Sequence, residues 1–324
     1  MTAMKALENR PFGHQGERVT VIGLGGAELA KHSLAEGVAT VRRALELGVT
    51  YFDTAPLYEH SASQVIIGNA LEGVSAPYVL ATKLGFLGSP ELHRSADALL
   101  GQLWANLSAL RRDQVDVLQV HSVEYACWWT DAASEGELLD IEAAHDYANA
   151  PVMDVLRAAR ERGLCRYIGI TSNRADILAH ILRSVDVDAC LVAYGYNMVF
   201  RAGQRMVLSQ ARERRIAYLT AGIFYPGLEP TQADWRSSLP VDIRPQVEDK
   251  LAKIYALQKE SGLSLVELGI RFLLADPDVS TILVGAATPT ELEASVAAAQ
   301  QGVLPTDLHA AIEALGLSDF IPAL

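Results

Sequence analysis

The chain has 324 residues, half of them hydrophobic, and a formal net charge of −12. A chain of this size can bury a large core in one or two domains. The negative charge disfavours nucleic acids and anionic membrane surfaces as partners, and no apolar run approaches the roughly 20 residues that a membrane span requires.

The N-terminal segment and the cysteines set further limits. Residues 1–17 lack the apolar core flanked by basic residues that marks a secretory signal, so the sequence predicts a cytoplasmic protein. Cys127, Cys165 and Cys190 are odd in number, far apart and in no CxxC pattern. Buried or incidental thiols are therefore expected, in preference to disulfides or a metal site.

Short apolar runs alternate with helical segments along nearly the whole chain. The runs are apolar on both faces, as expected for a parallel sheet covered by helices. In chain order they are RVTVIGLG, TYFDT, YVLATKLG, VDVLQVHS, YIGITS, ACLVAYG, IAYLTAG and STILVGA. Helical spacing of apolar residues is found in residues 34–47, 64–73, 95–110, 152–162 and 174–184.

These β/α units, with no linker or charge block between them, predict the α/β class. The expected architecture is a (β/α)8 TIM barrel that forms a single domain over residues 1–324, and a doubly wound open sheet is the alternative. Two long stretches, residues 122–150 and 224–242, follow the fourth and seventh strands. Both begin at C-terminal strand ends, where barrel active sites form, so residues 122–150 are expected to be a substrate-side insertion.

The first glycine cluster, VIGLGGAEL, has the start of a dinucleotide-binding fingerprint. A strand leads into Gly23 and Gly25, but Glu28 occupies the third glycine position. The acidic residue expected at a strand end about 20 residues later is also missing. We interpret the cluster as a tight strand exit, where the backbone at Gly25 and Gly26 passes close to another group.

Four polar residues lie at or just after the ends of consecutive strands. Asp53 ends the second strand, Lys83 the third and His121 the fourth, and Tyr58 lies in the loop after the second. Each alone has an ordinary explanation as a helix cap, a rim residue or a core histidine. Because successive parallel strands are neighbours in a barrel, we expect these residues to converge at one rim.

The motifs around these residues resemble those of the aldo-keto reductase superfamily. The similar stretches are YFDTAPLYEHSASQVIIGNAL, VLATKLG, VDVLQVHSVE and YIGITSN, in the family's order. The resemblance implies a (β/α)8 barrel that binds a nicotinamide cofactor without a Rossmann domain. It also implies a catalytic tetrad of Asp53, Tyr58, Lys83 and His121, and a nicotinamide amide site at Ser172 and Asn173.

The chemistry of the four side chains agrees with this resemblance. A phenol with a pKa of about 10 exchanges protons poorly at neutral pH. An ammonium at Lys83 favours the phenolate of Tyr58, and Asp53 holds that lysine charged and oriented. His121 is expected to bind the substrate oxygen. Hydride would then pass directly between the substrate carbon and the nicotinamide.

The last strand and helix depart from the family pattern, in which basic residues hold the 2′-phosphate of NADP. Gly285 and Glu291 occupy those positions here. Glu291 can accept hydrogen bonds from ribose hydroxyls, or can be a first-turn acid favoured by the helix dipole. The sequence therefore predicts NAD as the preferred cofactor, with weak NADP use possible through backbone amides. The candidate cofactor contacts are Gly25, Gly26, Asp53, Ser172, Asn173, Thr220, Gly285, Ala286, Thr288, Glu291 and Ser295.

Small residues, Thr220, Ala221 and Gly222, stand where an aromatic commonly stacks on the nicotinamide. This resembles the sugar 1-dehydrogenase branch, of the L-galactose, L-fucose and D-threo-aldose type, which pyridoxal 4-dehydrogenase also resembles. The first expectation is therefore an NAD-dependent dehydrogenase that oxidises an aldose at C1 to the lactone. Pyridoxal 4-dehydrogenase, an NADPH-dependent aldehyde or ketone reductase, and a non-enzymatic subunit like those beside potassium channels are the alternatives.

The long insertion carries Tyr125, Trp128 and Trp129, which argue against disorder. Because the insertion starts beside His121, the two tryptophans are expected to form an apolar wall of the substrate site. The alternative is a subunit contact or packing on the barrel rim. The expected partner is a small-molecule substrate bound with Tyr58 and His121, and the chain is expected to be a monomer or small homo-oligomer.

Overall fold

Eight parallel strands form a closed barrel at the centre of the chain. The structure is a computed structural model that describes residues 5–14, 16–131, 133–225 and 239–317. Two further strands form an N-terminal hairpin. The strands are β1 (Asn9–Phe12), β2 (Glu17–Thr20), β3 (Ile22–Gly25), β4 (Tyr51–Asp53), β5 (Val79–Leu84), β6 (Val115–Val120), β7 (Cys165–Ser172), β8 (Ala189–Ala193), β9 (Ala217–Ala221) and β10 (Val279–Gly285).

Each barrel strand pairs with the next along the chain, and β10 closes the barrel on β3, where Ile282 lies beside Ile22. This closure confirms the predicted TIM barrel and excludes the doubly wound open sheet. Because all eight strands are parallel, their C-terminal ends meet at one rim. Residues that follow consecutive strands are therefore brought together there.

Helices cover the outside of the barrel. Several begin at polar caps, as at Ser33 and Ser95, whose side chains accept backbone N–H groups of the first turn. The helices are α1 (Leu34–Glu46), α2 (Ala62–Ala70), α3 (Ala96–Leu110), α4 (Pro151–Glu161), α5 (Ala175–Leu182), α6 (Ser209–Arg214), α7 (Arg244–Ser261), α8 (Leu265–Leu273), α9 (Pro289–Gln300) and α10 (Thr306–Glu313). Within the described ranges, none of these helices is both long and apolar enough to cross a membrane.

The run RVTVIGLG, predicted as one strand, is two. β2 pairs with β1 in an antiparallel hairpin, and only β3 joins the barrel. The hairpin places the Phe12 ring 5.5 Å from the rings of both Tyr51 and Tyr167, which lie in the barrel interior. Phe12 therefore fills the end of the barrel opposite the C-terminal rim, a contact that local periodicity does not encode.

The described residues of the insertion, 122–131 and 133–150, fold back on the barrel. Tyr125 and Leu138 form an antiparallel bridge, and the Leu139 N–H donates to the Glu124 carbonyl at 2.8 Å. The segment ends at α4, which begins at Pro151 as predicted. In the second long stretch, residues 226–238 lie outside the described part of the chain. Cys127, Cys165 and Cys190 are free and buried.

Candidate active site

The four polar residues predicted from sequence meet at the C-terminal rim. Asp53 is the last residue of β4, Lys83 lies near the end of β5, and His121 directly follows β6. Tyr58 is in the loop after β4. Three residues after it, at positions 59–61, have left-handed backbone angles, with φ of 46°, 52° and 71°. Such a run is found where surrounding structure holds it in place.

Lys83 is the centre of this group, with 1% of its surface exposed. Its Nζ forms an ion pair with Asp53 and donates to the Thr54 carbonyl at 2.9 Å and to the Tyr58 hydroxyl at 3.2 Å. An ammonium has three N–H donors, so each donor has an acceptor. The lysine is therefore held in one orientation without any ligand.

Asp53 is also satisfied on both carboxylate oxygens. Lys83 occupies one, and the Gln119 side-chain amide donates to the other at 2.9 Å. Burial disfavours the Lys83 ammonium, but the charges of Asp53 and Tyr58 and their hydrogen bonds outweigh it and raise the pKa of Lys83. The lysine stays protonated at neutral pH. Gln119, which the sequence analysis missed, supports the pair from the adjacent strand β6.

Tyr58 accepts a hydrogen bond from Lys83, which decides where its own proton points. The Lys83 Nζ is 3.2 Å from the hydroxyl and 4.8 Å from the ring centroid. Because the ammonium donates, the phenolic proton must point elsewhere. Burial raises the pKa of Tyr58, and the Lys83 charge opposes this rise without cancelling it. Tyr58 is therefore a neutral phenol at neutral pH.

His121 stands between Tyr58 and the substrate side of the rim. Its ring meets Tyr58 edge-on at 5.7 Å and Phe86 at 4.9 Å. Burial, and then the Lys83 charge, lower the pKa of His121 well below its usual value, so the imidazole is neutral. Its Nδ1 is buried without a hydrogen-bond partner. A buried lone pair costs less than a buried unpaired N–H, so Nε2 carries the proton.

A cavity of about 340 Å³ opens beside His121. Its lining contains one carboxylate, Glu135, and no lysine or arginine. His93 is neutral, because burial lowers its pKa and its Nε2 accepts the Phe86 N–H at 3.2 Å. The lining residues are Phe86, Gly88, Ser89, Pro90, His93, His121, Tyr125, Cys127, Trp128, Glu135 and Gly136. The described residues contain no group of three acidic, histidine or cysteine side chains suited to a metal ion.

The two tryptophans of the insertion have different surroundings. Trp128 lines the cavity, and its indole N–H lies 3.2 Å from the carbonyls of both His121 and Ser122. Trp129 is not among the lining residues. Its indole N–H donates to the Val123 carbonyl at 2.8 Å, and its ring packs edge-on against Tyr147 at 5.2 Å. Only Trp128 therefore reaches the cavity, and Trp129 packs the insertion on the rim.

Ser172 and Asn173 lie at the C-terminal end of β7, next to the four polar residues. The Ser172 hydroxyl is 2.7 Å from Glu124, and the Asn173 N–H donates to the same carboxylate at 3.3 Å. The Arg174 N–H donates to the Ser172 oxygen at 2.9 Å. The sequence analysis did not identify Glu124, a buried acid that no motif marks.

Gly25 and Gly26, at and just after the end of β3, differ in how closely their neighbours approach them. A side chain at Gly26 would overlap Ser63 and crowd the Asp53 carbonyl. At Gly25 a Cβ would lie 3.5 Å from the Val284 carbonyl, within ordinary contact. Of these two residues, Gly26 needs to be glycine for packing and Gly25 does not, which agrees in part with the interpretation of a tight strand exit.

Glu291 forms part of a capping box on its own helix. Its carboxylate accepts the N–H groups of Ala287 at 2.8 Å and Thr288 at 3.3 Å, and the Thr288 hydroxyl accepts the Glu291 N–H. The N–H groups of Ala287 and Thr288, just before the helix, are therefore already occupied. The Ser295 hydroxyl donates to the Glu291 carbonyl at 3.1 Å, within the helix.

Gly285 and Ala286, which precede this helix, differ in exposure: Gly285 is exposed and Ala286 is buried. A Cβ at Gly285 would meet only Glu28, at 3.4 Å. On the adjacent strand, Thr220 is buried and donates to the Tyr196 carbonyl at 3.2 Å. This edge of the rim therefore consists of small residues and a self-capped helix.

An aromatic residue, Tyr194, lies at this edge and comes from the end of β8, not from β9. Tyr194, just after β8, has a left-handed φ of 63°, and its ring lies directly against Gly222, where any side chain would overlap it. It also meets Tyr225 at 5.1 Å, and the Tyr58 phenol raises its pKa after the larger effect of burial. The sequence analysis considered only the residues after β9 for an aromatic at this edge and did not identify Tyr194.

The arrangement fits a nicotinamide dinucleotide: a hydroxyl with a free lone pair at Ser172, open backbone at Gly25 and Gly285, and an aromatic ring at Tyr194. Aldo-keto reductases use such cofactors. The family model described as "Aldo/keto reductase family" matches residues 21–316 of this chain.

Known relatives cover most of the chain. It is 27% identical to L-galactose dehydrogenase of Arabidopsis thaliana, over 91% of this chain and 89% of that protein. It is 22% identical to pyridoxal 4-dehydrogenase of Microbacterium luteolum, over 97% and 99%. An aldo-keto reductase from Bacillus halodurans in its holo form shares the fold with a TM-score of 0.70, at 21% identity over 95% and 96% of the two chains. The chain therefore belongs to the aldo/keto reductase family of oxidoreductases.

Proposed function

We propose that the chain is an NAD-dependent dehydrogenase that oxidises an uncharged hydroxyl substrate, with an aldose at C1 as the first candidate. The observation that carries this proposal is the Lys83 ammonium, which is held by Asp53 and donates to Tyr58 beside a cavity at His121. Such a group can accept and return one proton at a single oxygen atom, which carbonyl–alcohol interconversion requires.

Tyr58 acts as the proton-transfer group. In oxidation its phenolate takes the proton of the substrate hydroxyl, and in reduction its phenol returns a proton to the carbonyl oxygen. Lys83 stabilises the phenolate in both directions, because its N–H already points at the Tyr58 oxygen. Asp53 keeps the ammonium charged. The bound nicotinamide would accept or supply the hydride in the same step.

His121 orients the substrate. Its neutral ring with the proton on Nε2 donates a hydrogen bond without adding a positive charge that would compete with Lys83. The edges of Tyr58 and Phe86 hold the ring in place. Trp128, fixed by its indole hydrogen bonds, forms the adjacent wall. These contacts restrict the substrate carbon to one face of the cavity, as near-attack geometry demands.

The preference for NAD rests on the edge formed by Gly285 and Glu291. A 2′-phosphate carries nearly two negative charges at neutral pH and needs cationic or strong hydrogen-bond donors. Gly285 offers no side chain, and the Glu291 carboxylate accepts the N–H groups of Ala287 and Thr288 just before the helix. A lost charge-assisted hydrogen bond costs about 1.5–3 kcal/mol, which corresponds to about a tenfold to hundredfold preference for NAD.

The cavity favours an uncharged substrate. Its lining contains one acidic side chain, Glu135, and no lysine or arginine, and both histidines that face it are held neutral by their lowered pKa values. The L-galactose dehydrogenase relative supports an aldose. The rings of Phe86, Tyr125 and Trp128, together with the pyridoxal 4-dehydrogenase relative, support a flat aromatic alcohol as the second candidate.

The test is reduction of NAD and NADP at alkaline pH in the presence of aldoses, pyridoxal and simple alcohols. The aldoses and pyridoxal are also supplied in forms phosphorylated away from the carbon to be oxidised. We expect turnover with NAD and at least about tenfold lower kcat/KM for each phosphorylated partner. Preference for phosphorylated substrates would contradict the proposed cavity chemistry. Dinucleotide binding without turnover of any substrate would instead indicate a non-enzymatic binding subunit.

A further inference from the structure

Glu124 is a buried acid that the proposed proton transfer does not use. Its surface is 2% exposed. One carboxylate oxygen lies 2.7 Å from the Ser172 hydroxyl, and the other accepts the Asn173 N–H at 3.3 Å. The Glu124 carbonyl accepts a hydrogen bond from the Leu139 N–H of the insertion at 2.8 Å, so the backbone of Glu124 is also fixed.

The charge of Glu124 has no direct ionic partner in the described residues. The nearest cation that affects it is Arg174, whose guanidinium is held bidentately by Asp176 at 3.0 Å and 2.7 Å. Burial raises the pKa of Glu124, and the hydrogen bonds from Ser172 and Asn173 oppose this rise. Isolated buried carboxylates are costly, so this one needs a partner or a function.

Glu124 also decides the hydrogen-bonding role of Ser172. A hydroxyl has one proton. The Ser172 hydroxyl lies 3.1 Å from the Arg174 carbonyl and 2.7 Å from the Glu124 carboxylate, and the shorter, charge-assisted contact with Glu124 takes the proton. The Arg174 N–H occupies one lone pair of the Ser172 oxygen. The remaining lone pair can only accept a hydrogen bond, so it suits the NH2 group of a carboxamide.

We propose that Glu124 is a positioning residue for the nicotinamide, which fixes Ser172 as an acceptor and favours the oxidised, cationic ring over the reduced, neutral one. This inference rests on the proposed function. A carboxamide bound at Ser172 brings the ring close to a fixed negative charge in a poorly screened site. That charge attracts the cationic ring and has no such effect on the neutral ring, so it favours loading of the oxidised cofactor and release of the reduced one.

The test compares dissociation constants for NAD+ and NADH, measured by quenching of tryptophan fluorescence, in the wild type and in Glu124→Gln. Glutamine keeps an acceptor near Ser172 but removes the charge. We expect the NAD+ affinity to fall about fivefold to tenfold relative to the NADH affinity. An unchanged ratio in a folded Glu124→Gln protein would overturn this inference.

Two further variants separate charge from packing. Glu142→Gln removes an exposed acid from the same insertion, and the ratio should stay at the wild-type value. Glu124→Asp keeps the charge but, being one methylene shorter, draws the carboxylate away from Ser172 and lengthens that contact. Both affinities should then fall together, and a changed ratio would contradict the inference even if Glu124→Gln did not fold. A wild type that binds neither dinucleotide would instead overturn the proposed function.

Discussion

The C-terminal rim of the barrel differs in composition between the side of β4 to β6 and the side of β9 and β10. On the side of β4 to β6, every donor of Lys83 and both oxygens of Asp53 are satisfied within the chain, at a site almost closed to solvent. On the side of β9 and β10, Gly285 leaves open space, and Glu291 caps its own helix. One side is built from buried charge and the other from small residues.

Under the proposed function, proton transfer and cofactor choice depend on different kinds of residue. Proton transfer needs groups that are oriented before the substrate arrives, since reorganisation in the transition state would raise the barrier. In the proposed function, preference for NAD over NADP needs no new attraction, because Gly285 offers no side chain that could hold the phosphate. We therefore expect mutations on the first side to act on rate, and mutations on the second side to act on cofactor affinity.

The largest effect is expected for Tyr58→Phe. Removal of the hydroxyl eliminates the proton-transfer group while the ring and its packing remain. General acid–base groups contribute about 10²- to 10⁴-fold in rate, so kcat should fall by this factor with little change in NAD+ affinity. Steady-state kinetics and fluorescence titration measure the two quantities. A variant that keeps most of its kcat would show that another group moves the proton.

Lys83→Met tests how the buried pair supports Tyr58. It leaves the Asp53 carboxylate buried without its cation, which costs about 3–5 kcal/mol of stability. The double variant Lys83→Met/Asp53→Asn should recover most of that stability but little activity. Urea unfolding and kcat report the two effects. Recovery of activity in the double variant would contradict a role for the ammonium in catalysis.

The pH dependence of oxidation follows from Tyr58. Burial raises its pKa from the usual 10, so the phenolate that accepts the substrate proton forms only at alkaline pH. The oxidation rate should therefore increase with pH through the alkaline range, while reduction, which needs the phenol, should not. Loss of the Lys83 charge removes the effect that lowers this pKa, so any residual profile of Lys83→Met should move to higher pH. A plateau of oxidation near neutral pH would argue against Tyr58 as the base.

Gly285→Lys should narrow the proposed preference for NAD. Gly285 is not among the glycines with a positive φ, and a Cβ there would contact only Glu28, at 3.4 Å. A side chain therefore fits at this position. An added cation should raise NADP kcat/KM about tenfold relative to NAD, and the uncharged variant Gly285→Gln is the matched control. Glu291→Gln keeps the size of the capping side chain and should give a smaller change. A wild type that prefers NADP would contradict the proposal that Gly285 and Glu291 cause a preference for NAD.

The smallest kinetic effect is expected for the insertion. Trp128→Ala removes a cavity wall and should raise KM about threefold to tenfold with a smaller change in kcat. Trp129→Ala should leave KM nearly unchanged and lower stability by about 3–5 kcal/mol, as for other buried aromatics. KM across several substrates, together with thermal unfolding, separates the two. The reverse pattern would mean that the cavity is shaped by Trp129.

The sequence by itself determined the barrel and the convergence of Asp53, Lys83 and His121, because period and strand order are local properties and parallel strands place their ends at one rim. Only the tertiary structure decided the N-terminal hairpin under the barrel, the partners of Glu124, and Tyr194 as the aromatic beside Gly222. These features depend on contacts between residues far apart in the chain or on unusual backbone angles, as at residues 59–61.

The capping role of Glu291 has a local signature, Thr288 three residues before Glu291. Its consequence, that the carboxylate occupies the amides of Ala287 and Thr288, became clear only from the folded geometry.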